Sequence, residues 1–167
     1  TGAAHLALYG KMPGVSYPDY QHSRLIVIWG ANPSVSSTHL VPYVRTAIQN
    51  GAALIVIDPR RTALAKQADI HLSVRPGSDV AVALAIHRFL FEHDLADEQF
   101  LATHTHNWET LRDRAAEWDF SRAASVADID PELLERVAEM YAETSPAVIS
   151  YCPWDKESCR EFPVVLG

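Results

Sequence analysis

The chain is 167 residues long and 48% apolar, enough material for one domain around a single core. Lys and Arg total 14 against 21 Asp and Glu, and the resulting formal charge of -7 leaves no basic footprint for nucleic acid or anionic lipid. The longest apolar run, Val80 to Ile86, is broken by His87 and Arg88 and falls far short of the roughly 20 residues that span a bilayer, so no membrane insertion by this segment is expected.

Thr1 stands where translation would place Met, with no signal-peptide pattern after it, so the chain is expected to start at a fragment boundary. The compartment, cytoplasmic or periplasmic, stays open for that reason. Arg24 to Trp29 (RLIVIW) and Ala53 to Asp58 (ALIVID) are short, non-alternating, β-branched runs, the pattern of parallel strands buried on both faces. Between them, Leu40, Tyr43, Val44, Ala47 and Ile48 recur at helical spacing over His39 to Gln49, and Asn50-Gly51 supplies the stop. Those three segments make a βαβ unit. A short polar or helical turn runs to Gln67, and a third strand is expected over Ile70 to Val74.

Ser78 is placed to cap a helix from Asp79 to about Glu92. Helical segments are expected over Ala96 to Thr103 and Trp108 to Trp118. Asp130-Pro131 then opens an amphipathic helix whose apolar face is Leu133, Leu134, Val137, Met140 and Tyr141. Ala147 to Tyr151 reads as a fourth strand returning to the sheet. The expected fold is α/β: an open, mostly parallel sheet with helices on both faces, Rossmann-like but without GxGxxG, with Ile28, Ile57 and Ile149 fully buried. The whole of 1–167 is read as one domain, with its core at about 19–151 and a tail, 152–167, that fits no periodic pattern and suits an arm on another domain. Cys152 and Cys159, both in that tail, are too few for a disulfide scaffold and lack zinc-site spacing, so they read as two thiols.

In such a sheet the loops after the strands share the carboxyl edge, where doubly wound folds bind ligands. The polar residues gather there: Gly30-Ala31-Asn32-Pro33-Ser34 after the first strand, Asp58-Pro59-Arg60-Arg61 after the second, and Arg75-Pro76-Gly77-Ser78-Asp79 after the third. Arginine forks and helix-start N–H groups suit phosphates, and carboxylates suit ribose hydroxyls or a base edge. Each loop alone could be an ordinary turn. Their convergence on one edge, with Asn32, Asp58 and Asp79 in a common crevice, favours a nucleotide that carries a pyrophosphate.

The succession RLIVIWGANPS, GAALIVIDPRRTALAKQADIHLSVRPGSDVAVALA and FEHDLADEQFLATHTHNWETLRD resembles the nucleotide-binding domain of molybdopterin oxidoreductases of the dimethyl sulfoxide reductase family, from about Asp19 to Ile149. DPRRTALAKQAD followed by RPGSD is the specific part. The resemblance implies that one of two molybdopterin guanine dinucleotides lies along this edge, in a bis form with molybdenum or tungsten in the full enzyme. Its contacts would fall at Gly30, Asn32, Ser36, Asp58, Pro59, Arg60, Gly77 and Asp79, with no catalytic residue and no metal ligand in this chain. It further implies that the protein ligand to the metal, an iron–sulfur cluster held near the amino terminus, and the domain gripping the second pterin all belong to other parts of the enzyme. Nothing in 1–10 matches the metal ligand. The partners implied are the remaining domains of the same enzyme and an electron-transfer subunit.

Asp79 raises a charge question, since it opens a helix whose N-terminus would otherwise welcome phosphate. A carboxylate there suits the paired N–H donors of guanine, so the phosphates are expected nearer Gly30 and Arg60, with Asp58 on a ribose hydroxyl. Two other functions fit the same pattern. One is an NAD(P)-binding domain, with Asp58 on ribose or Arg60 and Arg61 on a 2′-phosphate; the other is a non-catalytic α/β interaction domain with an empty crevice. His104 and His106, with His87 and His93 nearby, lack the carboxylate or cysteine company of a metal site. Trp108, Trp118, Phe89 and Phe91 read as core or interdomain contacts, and Glu132, Glu135, Arg136 and Glu139 as a solvated helix face.

Overall fold

The inner strands β1 (Leu25–Trp29) and β2 (Ala53–Ile57) alternate their side chains between two separate apolar clusters. Leu25 and Val27 of β1, with Ile55 and Ile57 of β2, face one cluster; Ile26 and Ile28, with Leu54 and Val56, face the other. Both sides of these strands are therefore dry, which is why the sequence shows no polar alternation. A computed structural model describes residues 14–151 and sets these strands in a four-stranded sheet ordered β3-β2-β1-β4, with every pairing parallel. β3 is Ile70–Leu72 and β4 is Ala147–Tyr151. The readings made at 1–10 and 152–167, including the thiols of Cys152 and Cys159, lie outside the described residues.

Helices cover both faces. After β1 come a single turn, α1 (Pro33–Ser36), and α2 (Val41–Gln49), which buries Val41, Val44 and Ala47. Asn50 ends α2 and Gly51 follows at φ 93, the left-handed position that a helix stop favours. A 3-10 turn, Tyr17–His22, packs on α2 and sends Tyr20 into the same cluster. Its start carries Ser16 and Asp19 in a reciprocal capping box. The β2–β3 crossover at 58–69 contains no regular helix, yet Leu64 and Ala65 are buried on that face.

The other face is covered by α3 (Asp79–Glu92), α6 (Phe120–Ala127) and α7 (Pro131–Glu143). α4 (Glu98–His104) and α5 (Trp108–Ala115) lie between α3 and α6 in the chain. α3 is nearly apolar all round, with Ala81 through His87 buried, because it is enclosed by α5, α6 and α7 as well as the sheet. Phe89 and Trp118 pack at the border of this cluster, while Phe91 stacks on Trp108 at 6.2 Å. His87 is buried with its Nδ1 2.7 Å from the Ala83 carbonyl, a local helix contact. Glu132, Glu135, Arg136 and Glu139 are exposed.

Several expectations need correction. Ile149 is only partly buried, unlike Ile28 and Ile57: β4 is an edge strand that pairs with β1 alone among the described residues, so one flank lacks cover. The third strand stops at Leu72 rather than Val74. The segment expected as one helix to Trp118 ends at Ala115, and the separate α6 was not anticipated. Ser78 stands at the N-cap of α3 but does not cap it. Its hydroxyl donates instead to the Arg75 carbonyl at 2.6 Å, closing the turn around Gly77.

Candidate cofactor site at the carboxyl edge of the sheet

Strand order places a switch at β1: the chain leaves β1 toward β2 on one side and returns as β4 on the other. Loops diverge at such a point and open a crevice beyond the strand ends. Trp29 ends β1 in register with Ile57 on one side and Tyr151 on the other. Hydrogen bonds then join the strand ends in sequence. The N–H of Gly30 donates to the Ile57 carbonyl at 2.7 Å, and the N–H of Asp58 to the Leu72 carbonyl at 3.1 Å.

Gly30 turns the chain out of β1 at φ 58, and a Cβ built there would meet nothing within 4 Å, so the space over its backbone is open. Asn32 follows as the N-cap of α1. Its backbone carbonyl accepts from the N–H of Val35 at 2.9 Å, the N–H of Ser36 at 3.0 Å and the Ser36 hydroxyl at 3.1 Å. Its side-chain oxygen Oδ1 is buried without a hydrogen-bond partner among the described residues. An unsatisfied buried carbonyl costs about 1–3 kcal/mol, so this atom is set for a donor that the described residues do not supply. Ser36 is exposed.

After β2, Asp58 is only 1% exposed, and both its oxygens face Arg60. The Arg60 backbone N–H donates to Oδ1 at 2.7 Å, the Asx-turn that Asp-Pro-Arg permits. The guanidinium then closes as a fork, Nε to Oδ1 at 3.2 Å and Nη2 to Oδ2 at 3.3 Å. Arg60 itself is 68% exposed. The pair thus ties the guanidinium to the loop that follows β2. The Nε2–H of His71 donates to the Asp58 carbonyl at 2.9 Å, and Ser73 donates to the Pro59 carbonyl at 3.2 Å, so β3 and the residue that follows it brace this loop.

After β3, Gly77 adopts φ 86, again with open space where a Cβ would stand. Arg75 turns away, its N–H to the Ala127 carbonyl at 2.8 Å and its guanidinium 3.8 Å from Asp128 at the end of α6. Asp79 is half-buried at the first turn of α3, and its Oδ1 accepts from the indole N–H of Trp29 at 2.7 Å. That bond joins the end of β1 to the start of α3. Sequence reasoning missed Trp29, whose signal was available: an aromatic with a polar tip at the last strand position before the turn. His71 was missed as well. Among the described residues, no group of three or more His, Cys, Asp or Glu is arranged to hold a metal ion, and no helix is long and apolar enough to cross a membrane.

A family model described as molybdopterin oxidoreductase matches residues 7–150. The chain belongs to that family. Among its relatives, a probable oxidoreductase YoaE of Bacillus subtilis is 32% identical over 140 residues, covering 84% of this chain and 21% of that protein. The assimilatory nitrate reductase catalytic subunit of the same organism is 29% identical over 143 residues, covering 84% of this chain and 20% of that protein. A solved structure of acetylene hydratase from Pelobacter acetylenicus shares 28% identity at a TM-score of 0.79, over 90% of this chain and 20% of that one. The chain spans about a fifth of the length of the molybdopterin oxidoreductases it matches. The α/β architecture expected from the sequence is that of the family, and the polar loops at the carboxyl edge all fall within the matched segment.

Proposed function

We propose that this chain holds one molybdopterin guanine dinucleotide along the carboxyl edge of its sheet, as the nucleotide-gripping part of a molybdenum- or tungsten-dependent enzyme. The buried Oδ1 of Asn32, which has no partner among the described residues, carries the reading, because it stands ready for a donor at the place where the loops open. The open space above Gly30 and Gly77 fits close approach of a ligand to backbone. Arg60 takes phosphate oxygens, held in place by Asp58; Gly30, Pro59 and Gly77 contribute backbone; Asn32 and Ser36 contribute side-chain donors and acceptors. Asp79 reads the paired donors of guanine, and the phosphates lie toward Gly30 and Arg60, away from this carboxylate. Asp58 was expected on a ribose hydroxyl. At 1% exposure with both oxygens on Arg60, its part is instead to set the guanidinium. The same burial counts against an NAD(P) site built on Asp58.

The bound cofactor supplies the electron-transfer and activation chemistry, while these residues bind and orient it. Relatives named for nitrate and for acetylene share this segment, which fits a role in holding what they have in common rather than in choosing the substrate. The metal's protein ligand, any iron–sulfur cluster, the second pterin site and an electron-transfer partner fall to other parts of the enzyme.

Calorimetry of the 167-residue chain with guanosine diphosphate, adenosine diphosphate and NADPH tests this proposal. Guanosine diphosphate should bind best, and Asp79→Ala should cost about 1.5–3 kcal/mol of that affinity, the range for a hydrogen bond to a charged group. Equal binding of the adenine and guanine nucleotides would sink the guanine assignment.

A further inference from the structure

The indole N–H of Trp29 meets Asp79 Oδ1 at 2.7 Å, a short charge-assisted contact between two half-buried side chains. Trp29 is well placed to fix its partner. Its backbone is held on both sides by β2 and β4, and its ring packs against the apolar cluster beneath α3. Asp79, by contrast, stands on the first residue of a helix, behind a glycine turn at φ 86. A carboxylate offers about four acceptor sites, and the indole, a donor only, occupies one of them. Oδ2 and the remaining lone pair on Oδ1 stay available to a ligand with two parallel donors.

We propose that Trp29 is the positioning residue of the base-reading carboxylate. Its N–H locks the rotamer of Asp79 so that both oxygens are presented together, which separates guanine, with N1–H and N2–H₂, from hypoxanthine, which lacks the 2-amino donor. The proposal rests on Asp79 reading guanine. It goes further by naming the residue that makes the reading selective, one that does not itself touch the base. The competing role is a plain tie between β1 and α3 that contributes to folding alone.

The two roles part in nucleotide selectivity. The Trp29 indole proton is identified in the ¹⁵N-labelled chain by its loss in Trp29→Phe. It should lie downfield in the parent, move upfield in Asp79→Ala, and shift when guanosine diphosphate is added. Trp29→Phe should weaken guanosine diphosphate by about fivefold to tenfold, the loss of one oriented hydrogen bond, and narrow its preference over inosine diphosphate. In an Asp79→Ala background, Trp29→Phe should do no further harm, since a positioning residue acts only through its partner. If Asp79→Ala removes the guanine preference and Trp29→Phe keeps it, the positioning role is overturned while the guanine reading stands. If Asp79→Ala keeps the preference, or the parent binds no nucleotide, the guanine reading fails and this proposal with it. If Trp29→Phe does not fold, through-bond correlation assigns the indole protons of the four tryptophans instead, and the shift of the Trp29 proton in Asp79→Ala still tests the contact.

Discussion

Asp58 is a charged side chain with 1% exposure, and the Asx-turn and guanidinium fork of Arg60 explain how a carboxylate survives there. Its partner is 68% exposed, which screens the pair and keeps it below the cost of a fully buried ion pair. Asp58→Ala should lower stability by about 1–3 kcal/mol in chemical denaturation, chiefly by leaving the Arg60 N–H without its acceptor. Asp58→Asn retains an oxygen for that N–H and should lose less. If both variants unfold at the parent midpoint, the turn does not depend on the carboxylate. At this scale the sequence showed residue types, Asp beside Pro and Arg, but not direction. Whether Asp58 faces a ligand or its own neighbour depends on the path of its loop, which His71 of β3 and the following Ser73 brace.

α7 shows an element whose ends are written in the chain. Asp130 accepts from the Glu132 N–H at 2.9 Å, and Pro131 follows at the first helical position. Asp130→Ala should therefore cost about 0.5–2 kcal/mol of stability. On its apolar face Leu134 is fully buried between α7 and the sheet, so Leu134→Ala should cost about 2–5 kcal/mol through lost transfer energy and a cavity. A smaller effect from Leu134→Ala than from the cap variant would contradict the packing described. α6 escaped sequence reading for a physical reason. It packs through Ala123, Ala124 and Ala127, which recur at helical spacing but over only eight residues and with small side chains, and its cap is legible too: Asp119 accepts from the Arg122 N–H at 2.6 Å. The 3-10 turn carried a comparable signal in Ser16 and Asp19.

Over the whole molecule, two phenols on opposite faces, Tyr20 buried and Tyr141 partly buried, link folding to alkaline pH. Burial raises the pKa of Tyr20 above 10.0, a shift reinforced by Tyr17 and opposed by its hydrogen bond with Ser150; burial alone raises that of Tyr141. A raised folded pKa favours the neutral phenol in the native state. Stability from both groups is therefore fully present below pH 10.0 and is lost as pH rises through the folded values. Urea midpoints followed from neutral pH upward should hold level and then fall, and Tyr141→Phe should flatten the fall. An unchanged slope would remove Tyr141 from the account. Catalysis also belongs to this scale. The 167-residue chain alone should reduce no dye with formate, nitrate or sulfoxides, since it spans about a fifth of its relatives; turnover by it would overturn the division of labour proposed above.

The sequence by itself determined the two buried central strands, the long helices with the stop at Asn50-Gly51 and the cap at Asp130, and the clustering of Gly, Asn, Asp and Arg in three post-strand loops. These are local properties: hydrophobic period, β-branching and turn chemistry act over a few residues and can be read in order. Only the tertiary structure decided that β4 stands at the edge among the described strands with Ile149 partly buried, that Ser78 closes a turn instead of capping α3, that Asp58 serves Arg60, and that Trp29 grips Asp79. The turn at Ser78 and the fork at Asp58 close over two or three residues, where several local bonds compete, whereas the place of β4 and the Trp29–Asp79 bond depend on which strand lies beside which. Trp29 and Asp79 are fifty positions apart in the chain and meet because parallel pairing brings every strand end to one edge, a non-local arrangement that no window of sequence contains.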